Sequence, residues 1–345
     1  MVNVGIVGLG FMAATHLKAY RDVPDARVVA LCNPSGRRLD GDFSDVGGNL
    51  GDGEPIRLQP GTFTAFRSFR EMIADPGIDA IDICAPTFLH RELSVLALEA
   101  GKHVICEKPM ARNTRDALAI VSAAHSAKRV FMPAMCLRFV PEWRWLKEAV
   151  DDRRFGRARS AFFRRIAEPP AWGQANFLDG PRSGGALFDL HIHDADFVQD
   201  RFGRPSAVQS SGYESVSGAI DHVVTQYYVA GEVMVHAEGS WALAPGFGFN
   251  MSYLVNFENA TVDYDMSRGA ESLRVCARDR EPEFVRLDEP DGYVGELRHF
   301  IDSVSRGKEP EVVTAADGLS AVEICSAEEL SIQNGPLAVG QLIFL

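Results

Sequence analysis

Val4-Gly5-Ile6-Val7-Gly8-Leu9-Gly10-Phe11-Met12-Ala13 opens the chain. A short apolar run enters a Gly-x-Gly-x-x-Ala turn, and helical periodicity follows from Thr15 to Pro24. Strand, glycine turn and helix make up a dinucleotide-binding unit. The first glycine makes the tight turn, the second lets backbone amides approach a pyrophosphate, and the small third residue lets helix pack on strand. The helix N-terminus supplies the anion site. Gly8, Gly10, Phe11, Met12 and Ala13 are therefore candidate cofactor contacts.

Further apolar runs at residues 28–32, 78–84 and 103–106 read as strands, the first two ending in turn residues. A helix-compatible stretch at 92–100 stops at Gly101, where a helix C-terminus places glycine. Repeated strand and helix units imply a parallel sheet, so the fold class is α/β with an N-terminal Rossmann domain. Residues 36–61 carry seven glycines. They read as a long surface insertion, with a lid over the adenosine end of a cofactor as the alternative.

Past residue 155 the texture changes, and runs at 158–165, 223–229, 233–241, 251–257 and 261–265 read as strands. Within 233–241, apolar or small residues alternate with His236, Glu238 and Ser240, so one face is buried and the other polar or interfacial. Helical periodicity returns over 294–330. The expectation is a Rossmann domain over 1–130 and, over 131–345, an α+β substrate-binding and oligomerisation domain with a large, mostly antiparallel open sheet.

Composition excludes several classes. The chain has 345 residues, 46% hydrophobic and 24% charged, which is ordinary for a globular protein. The formal net charge is −12; the first 130 residues hold 15 basic and 15 acidic side chains, the remainder 20 and 32. An acidic chain without a Lys/Arg tract lacks the footprint for nucleic acid. No 18-residue apolar span exists to cross a membrane, and no signal-like segment begins the chain. Six cysteines include no C-x-x-C pair, and Cys32, Cys84, Cys106 and Cys136 lie in or beside apolar runs, as buried thiols in a reducing cytoplasm would.

Three further constellations carry chemistry. At the end of the second strand, where a carboxylate would bond an NAD ribose, stands Asn33, followed by Ser35, Arg37 and Arg38. A hydroxyl and two cations suit a 2′-phosphate, so the cofactor is NAD(P), leaning to NADP(H). Glu107-Lys108-Pro109 follows the fourth strand run, at the carboxyl edge where open α/β sheets bind ligands. A lysine partly desolvated there is tuned toward proton transfer. Finally, Gly184-Gly185 precedes Asp189 and His193, which are four residues apart and share one face of a helix. A histidine takes a hydroxyl proton near neutral pH, and a carboxylate orients substrate or imidazole. A metal reading adds His191, but on a helix it points to a different face, so no metal is assigned.

Gly8-Leu9-Gly10, Pro86-Thr87-x-x-His90, Glu107-Lys108-Pro109, Arg138-Phe139-x-Pro141 and Gly184-Gly185-x-x-x-Asp189-x-x-x-His193 occur in the order found in the Gfo/Idh/MocA family of NAD(P)-dependent oxidoreductases, which the chain resembles over residues 1 to about 330. The resemblance implies hydride transfer to or from the CH–OH carbon of a sugar, polyol or related cyclic alcohol, and a homo-oligomer, dimer or tetramer, formed through the open sheet. It implies that Lys108 is the catalytic lysine, His193 the proton-transferring histidine and Asp189 the substrate-orienting carboxylate. Ala85, Pro86, Thr87, His90 and Glu107 would flank the nicotinamide ribose, with Arg138 near the nicotinamide or substrate. Arg164, Trp172, Asn176 and Arg182 are candidate substrate contacts. The alternatives are an NAD-dependent glycosidase that oxidises its substrate transiently and a non-catalytic nucleotide-binding regulator. The chain departs from the family pattern at Asn33 and in the length of the 36–61 insertion.

Overall fold

Six strands, β1 (Val2–Val7), β2 (Ala26–Cys32), β3 (Thr64–Phe66), β4 (Ala80–Ile83), β5 (His103–Glu107) and β6 (Phe131–Ala134), pair in parallel in the order β3-β2-β1-β4-β5-β6. This is the doubly wound dinucleotide-binding order, with its switch point between β1 and β4. The computed structural model describes residues 1–47, 55–171, 174–334 and 337–338. β1, β2, β4 and β5 lie on the runs expected from sequence. β3 is only three residues long, and β6 carries Pro133, tolerated at the sheet edge where no ladder N–H is needed. β3 offers no strand-length apolar signal, and in the apolar run 130–137 that holds β6 the proline argues against a strand.

Local signals set the helices. Ser68 accepts a bond from Glu71 N at 3.3 Å and caps the helix Phe69–Ala74, at the start of a Ser-x-x-Glu sequence. The helix His90–Glu99 ends just before Gly101, as expected. The insertion after β2 is packed against itself in its described parts. Phe43 N bonds Ile56 O at 2.9 Å, Leu58 N bonds Gly41 O at 3.0 Å, and Phe43 and Ile56 are buried. Gly48, Gly51 and Gly53 lie outside the described residues.

Contacts group Met1–Phe139 with Asp291–Leu319, and Val140–Pro290 with Ser320–Leu345. The expected single cut after residue 130 therefore differs from this grouping. The helix Gly292–Arg306 returns to the first unit, where Arg298 donates to Asp22 O at 3.1 and 2.8 Å. Helical periodicity says that a segment is amphipathic; it does not say which sheet it covers.

The second unit is built on β7 (Ala158–Ala167), β8 (Ala207–Glu214), β9 (Ile220–Tyr228), β10 (Met234–Ser240), β11 (Phe249–Phe257), β12 (Ala260–Asp265), β13 (Leu273–Ala277), β14 (Glu283–Val285) and β15 (Leu337–Ala338). Among the described residues they run in the order β14-β13-β12-β11-β7-β10-β9-β8-β15. Every pair is antiparallel except β7 with β10. One face packs on the helices Pro141–Asp151 and Ile192–Phe202. Trp143 meets Tyr253 and Tyr264 edge-on at 5.2 and 4.8 Å between centroids, burying large aromatic area at favourable geometry. Along β7, β9 and β11 the alternate residues Phe162, Val224, Tyr228 and Leu254 are exposed.

Candidate functional site

In the first unit the carboxyl ends of β1, β2, β4 and β5 lie at one edge of the sheet, because all four strands are parallel. Gly8 follows β1 with φ +86°, and a Cβ there would sit 2.5 Å from the backbone of Ala85, so the turn demands glycine. Around Gly10 a Cβ would meet nothing within 4 Å, which leaves room for a ligand to approach the backbone. Gly10 is also the N-cap of the helix Phe11–Tyr20 and offers no side-chain bond to the first-turn amides. Open space and uncapped N–H donors fit a pyrophosphate. Ala13 is fully buried.

Beyond β2, Asn33 is an organiser of its own turn. Its amide donates to Arg37 O at 2.9 Å, and its Oδ1 accepts from Ser35 Oγ at 2.9 Å. Arg38 is committed: Nε and Nη2 donate to the two oxygens of Asp45, both at 2.8 Å, and Nη1 donates to Leu9 O at 2.8 Å. Asp45 therefore competes with any phosphate for that cation. Arg37 remains largely in solvent, 3.5 Å from Asp45.

Beyond β4, Ala85 and Pro86 lead into the short 3₁₀ turn Thr87–Leu89. The buried His90 places Nε2 2.7 Å from Ala85 O and Nδ1 2.8 Å from Pro109 O. It joins the loop after β4 to the loop after β5, and both ring nitrogens face backbone carbonyls. Burial lowers its pKa despite those bonds. Glu107, the last residue of β5, is buried and accepts from the Lys108 backbone N at 3.1 Å through Oε2; Lys108 is half-buried. Arg138 is buried and turned toward residues 312–317, donating to Val312 O at 2.8 Å and lying 3.5 Å from Asp317.

In the second unit, Leu187–His191 forms a π-helical turn that continues into the α-helix Ile192–Phe202. The expected plain helix is thus widened by one residue at Asp189. Four residues are slightly more than one α-turn but less than one π-turn, so Asp189 and His193 still follow one another around a single helical segment. Asp189 is half-buried and His193 buried. His191 is fully buried, its Nε2 3.2 Å from Glu328 Oε1 and 3.0 Å from the Tyr227 hydroxyl. It belongs to the core, not to a ligand set with His193.

The substrate candidates separate. Arg164 pairs with Glu238 at 2.9 Å across β7 and β10, on the exposed sheet face. Asn176 is exposed, and Arg182 is half in solvent, 3.7 Å from Asp179. Trp172 lies outside the described residues. None of the six cysteines forms a disulfide; Cys32, Cys106 and Cys325 are buried, and Cys84, Cys136 and Cys276 partly so. No helix among the described residues is long and apolar enough to cross a membrane.

Sequence reading missed two buried charge networks. In the first unit, His16 Nδ1 lies 2.8 Å from Asp82 Oδ2, which also accepts from Tyr20 at 3.1 Å. His16 Nε2 lies 3.1 Å from Glu107 Oε1. In the second, Arg165 Nε donates to Asp194 Oδ2 at 3.0 Å beneath the segment bearing His193. The available signal was an acid inside an apolar strand, Ile81-Asp82-Ile83; Arg165 and Asp194 stand among other polar residues and gave none.

Two family models match the chain: "Oxidoreductase family, NAD-binding Rossmann fold" over residues 2–135, and the "GFO/IDH/MocA C-terminal domain" over 143–263. The scyllo-inositol 2-dehydrogenase (NADP(+)) IolU of Bacillus subtilis is 26% identical, with 94% of this chain and 95% of that protein aligned. The myo-inositol 2-dehydrogenase of Thermotoga maritima is 24% identical over 96% of each. Among solved structures, levoglucosan dehydrogenase in complex with NADH and levoglucosan superposes with a TM-score of 0.83 at 21% identity, covering 99% of this chain and all of that one.

Proposed function

The chain belongs to the Gfo/Idh/MocA family of NAD(P)-dependent oxidoreductases, and on that premise we propose that it moves a hydride between a nicotinamide and the CH–OH carbon of a sugar or cyclic polyol. The observation that carries this reading is Glu107-Lys108 at the carboxyl edge of the doubly wound sheet, in the same unit as a glycine turn with open space and a helix N-terminus that no side chain of Gly10 caps. The inositol and levoglucosan dehydrogenases among its relatives support the substrate class.

A bound nicotinamide supplies the hydride acceptor or donor. The turn at Gly8 and Gly10 holds the pyrophosphate. The Lys108 ammonium stabilises the alkoxide that forms as the hydroxyl proton leaves, an electrostatic effect typically worth about 3 kcal/mol. By the family resemblance His193 is the group that receives or returns a substrate proton, and Asp189 the carboxylate that orients substrate. For the cofactor we propose NADP(H): β2 ends without a carboxylate, Ser35 and Arg37 are exposed beside it, with Arg37's weak 3.5 Å approach to Asp45 competing with a phosphate, and one relative is named for NADP(+). Arg38, held by Asp45, contributes little. The exposed apolar residues Phe162, Val224, Tyr228 and Leu254 support self-association through the sheet, and six free thiols support a reducing cytoplasm.

The test is a fluorescence titration with NADPH and NADH followed by a polyol and sugar oxidation screen. The expected result is cofactor binding and turnover on a cyclic polyol or sugar, with Lys108→Ala losing roughly 10²–10⁴-fold in kcat while still binding cofactor. A chain that binds neither nucleotide, or a Lys108→Ala variant with full turnover, refutes the reading.

A further inference from the structure

A continuous line of polar contacts runs through the first unit beneath the glycine turn. Cys84 Sγ lies 3.3 Å from Asp82 Oδ1, and Tyr20 donates to Asp82 Oδ2. Asp82 shares a hydrogen bond with His16 Nδ1, His16 Nε2 approaches Glu107 Oε1 to 3.1 Å as a charge contact without hydrogen-bond alignment, and Glu107 Oε2 accepts from the Lys108 backbone N. His16 stands on the helix whose N-terminus faces the expected pyrophosphate, while Glu107 closes the strand that delivers Lys108. One imidazole therefore links two parts of the cofactor edge that are 91 residues apart in sequence.

We propose that His16 is a positioning residue: held against Asp82, it fixes the Glu107 carboxylate, and through it the backbone of Lys108. The proposal rests on the reading of Lys108 given above. The groups facing the ring can be named from every element around it. Tyr20 comes from its own helix, Asp82 and Cys84 from β4 and the residue after it, Glu107 from β5, and Tyr293 and Glu296 from the helix Gly292–Arg306. Glu296 is fully buried, and neither of its oxygens has a hydrogen-bond partner among the described residues. Burial, with the charge of Glu107, holds its carboxyl well above the usual range, which disfavours a charge on Glu296. Asp82 and Glu107 are then the carboxylates that His16 serves. Burial alone would lower the His16 pKa; the charge of Asp82, helped by Cys84 and the bond to Asp82, outweighs it and keeps the ring protonated.

Two measurements test this. In wild-type protein, nitrogen-15 spectra of the imidazoles should show a doubly protonated ring at pH 7 whose signal is absent from His16→Gln and kept in His191→Ala. A neutral His16 at pH 7 overturns the proposal, and this readout stands whether or not the variant folds. In kinetics, His16→Gln should lower kcat by roughly ten- to hundredfold with substrate KM little changed, the scale of a slightly misplaced reacting group. The variant should also gain an acid limb in kcat against pH as Glu107, stripped of its cation, takes up a proton. Adding Glu107→Gln should abolish that limb, which loss of packing alone would not do. A His16→Gln enzyme with wild-type kcat and pH profile overturns the proposal when Lys108→Ala is inactive. If Lys108→Ala is fully active, the functional reading itself has failed.

Discussion

His16 in the first unit and His191 in the second are built alike and connected differently. Both rings are fully buried, and in both a carboxylate raises the pKa against the opposing effect of burial, Asp82 in one case and Glu328 in the other. His16 bonds Asp82 through Nδ1 and sets Nε2 3.1 Å from Glu107 Oε1, an ion-pair approach without hydrogen-bond alignment, so its contacts lead outward to Glu107 and Lys108. His191 gathers Glu328 and Tyr227 on one nitrogen, and its Nδ1 has no hydrogen-bond partner among the described residues. The same pairing thus serves as a tie to a site in one unit and as a closed staple in the other. Removing His16 should damage catalysis more than folding, and removing His191 the reverse.

The largest effect expected in the second unit comes from stranding Glu328. His191→Ala leaves a buried carboxylate without its cation and should cost about 3–5 kcal/mol in urea unfolding, whereas His191→Ala with Glu328→Leu should recover much of that by replacing the pair with apolar volume. The sign with pH follows from the raised pKa. The folded ring holds its proton where an unfolded one, with a pKa near ~6.5, loses it. The contribution is therefore complete below the unfolded value and disappears as pH rises through the folded one. The cost of His191→Ala should accordingly shrink between pH 6 and pH 9. A cost that is small at pH 6, or grows with pH, would break the likeness between the two rings.

A smaller effect tests how closely the staple is fitted. Gly239 on β10 lies against the ring: a Cβ there would fall 2.5 Å from His191 Cβ. Gly239→Ala should destabilise the unit by about 1–3 kcal/mol through overpacking. In a His191→Gly background the same change should be nearly neutral, because the atoms it strikes, Cβ, Cγ and Nδ1, are gone. Equal costs in both backgrounds would mean that β10 itself requires the glycine.

What the sequence made legible follows the same division. The doubly wound sheet could be read because β-branched runs, a glycine turn and Gly101 are local signals, each repeated along the chain. The candidates at Gly8, Gly10 and Lys108 could be read because they stand at strand ends whose positions were legible. His16 could not, because its meaning depends on Asp82 and Glu107, 66 and 91 residues away, and a histidine in an amphipathic helix looks the same with or without them. The return of residues 291–319 to the first unit was hidden for the same reason. At Asp189 the helix was legible but its π turn was not, since an inserted residue leaves the apolar period almost unchanged. Arg38 was read as a free cation because Asp45 lies within a stretch whose glycines masked its packing.

That last pair gives the smallest effect and the opposite extreme of charge pairing, since Asp45 is more than half exposed whereas Asp82 and Glu328 are buried. Arg38 meets Asp45 through two bonds, and the contact holds the Asp45 carboxyl below the usual range. In solvent such a pair is worth at most about 1 kcal/mol, so Asp45 withholds from a 2′-phosphate only a modest part of what the guanidinium could offer. Asp45→Asn should therefore improve NADPH binding by no more than roughly fivefold, the equivalent of an exposed pair, and leave NADH binding unchanged. The gain should fade as salt is raised, because screening acts on exposed charges and spares buried ones. An Asp45→Asn variant that gained equally for both nucleotides would place Asp45 against some feature they share, and Arg38 would then have no part in telling them apart.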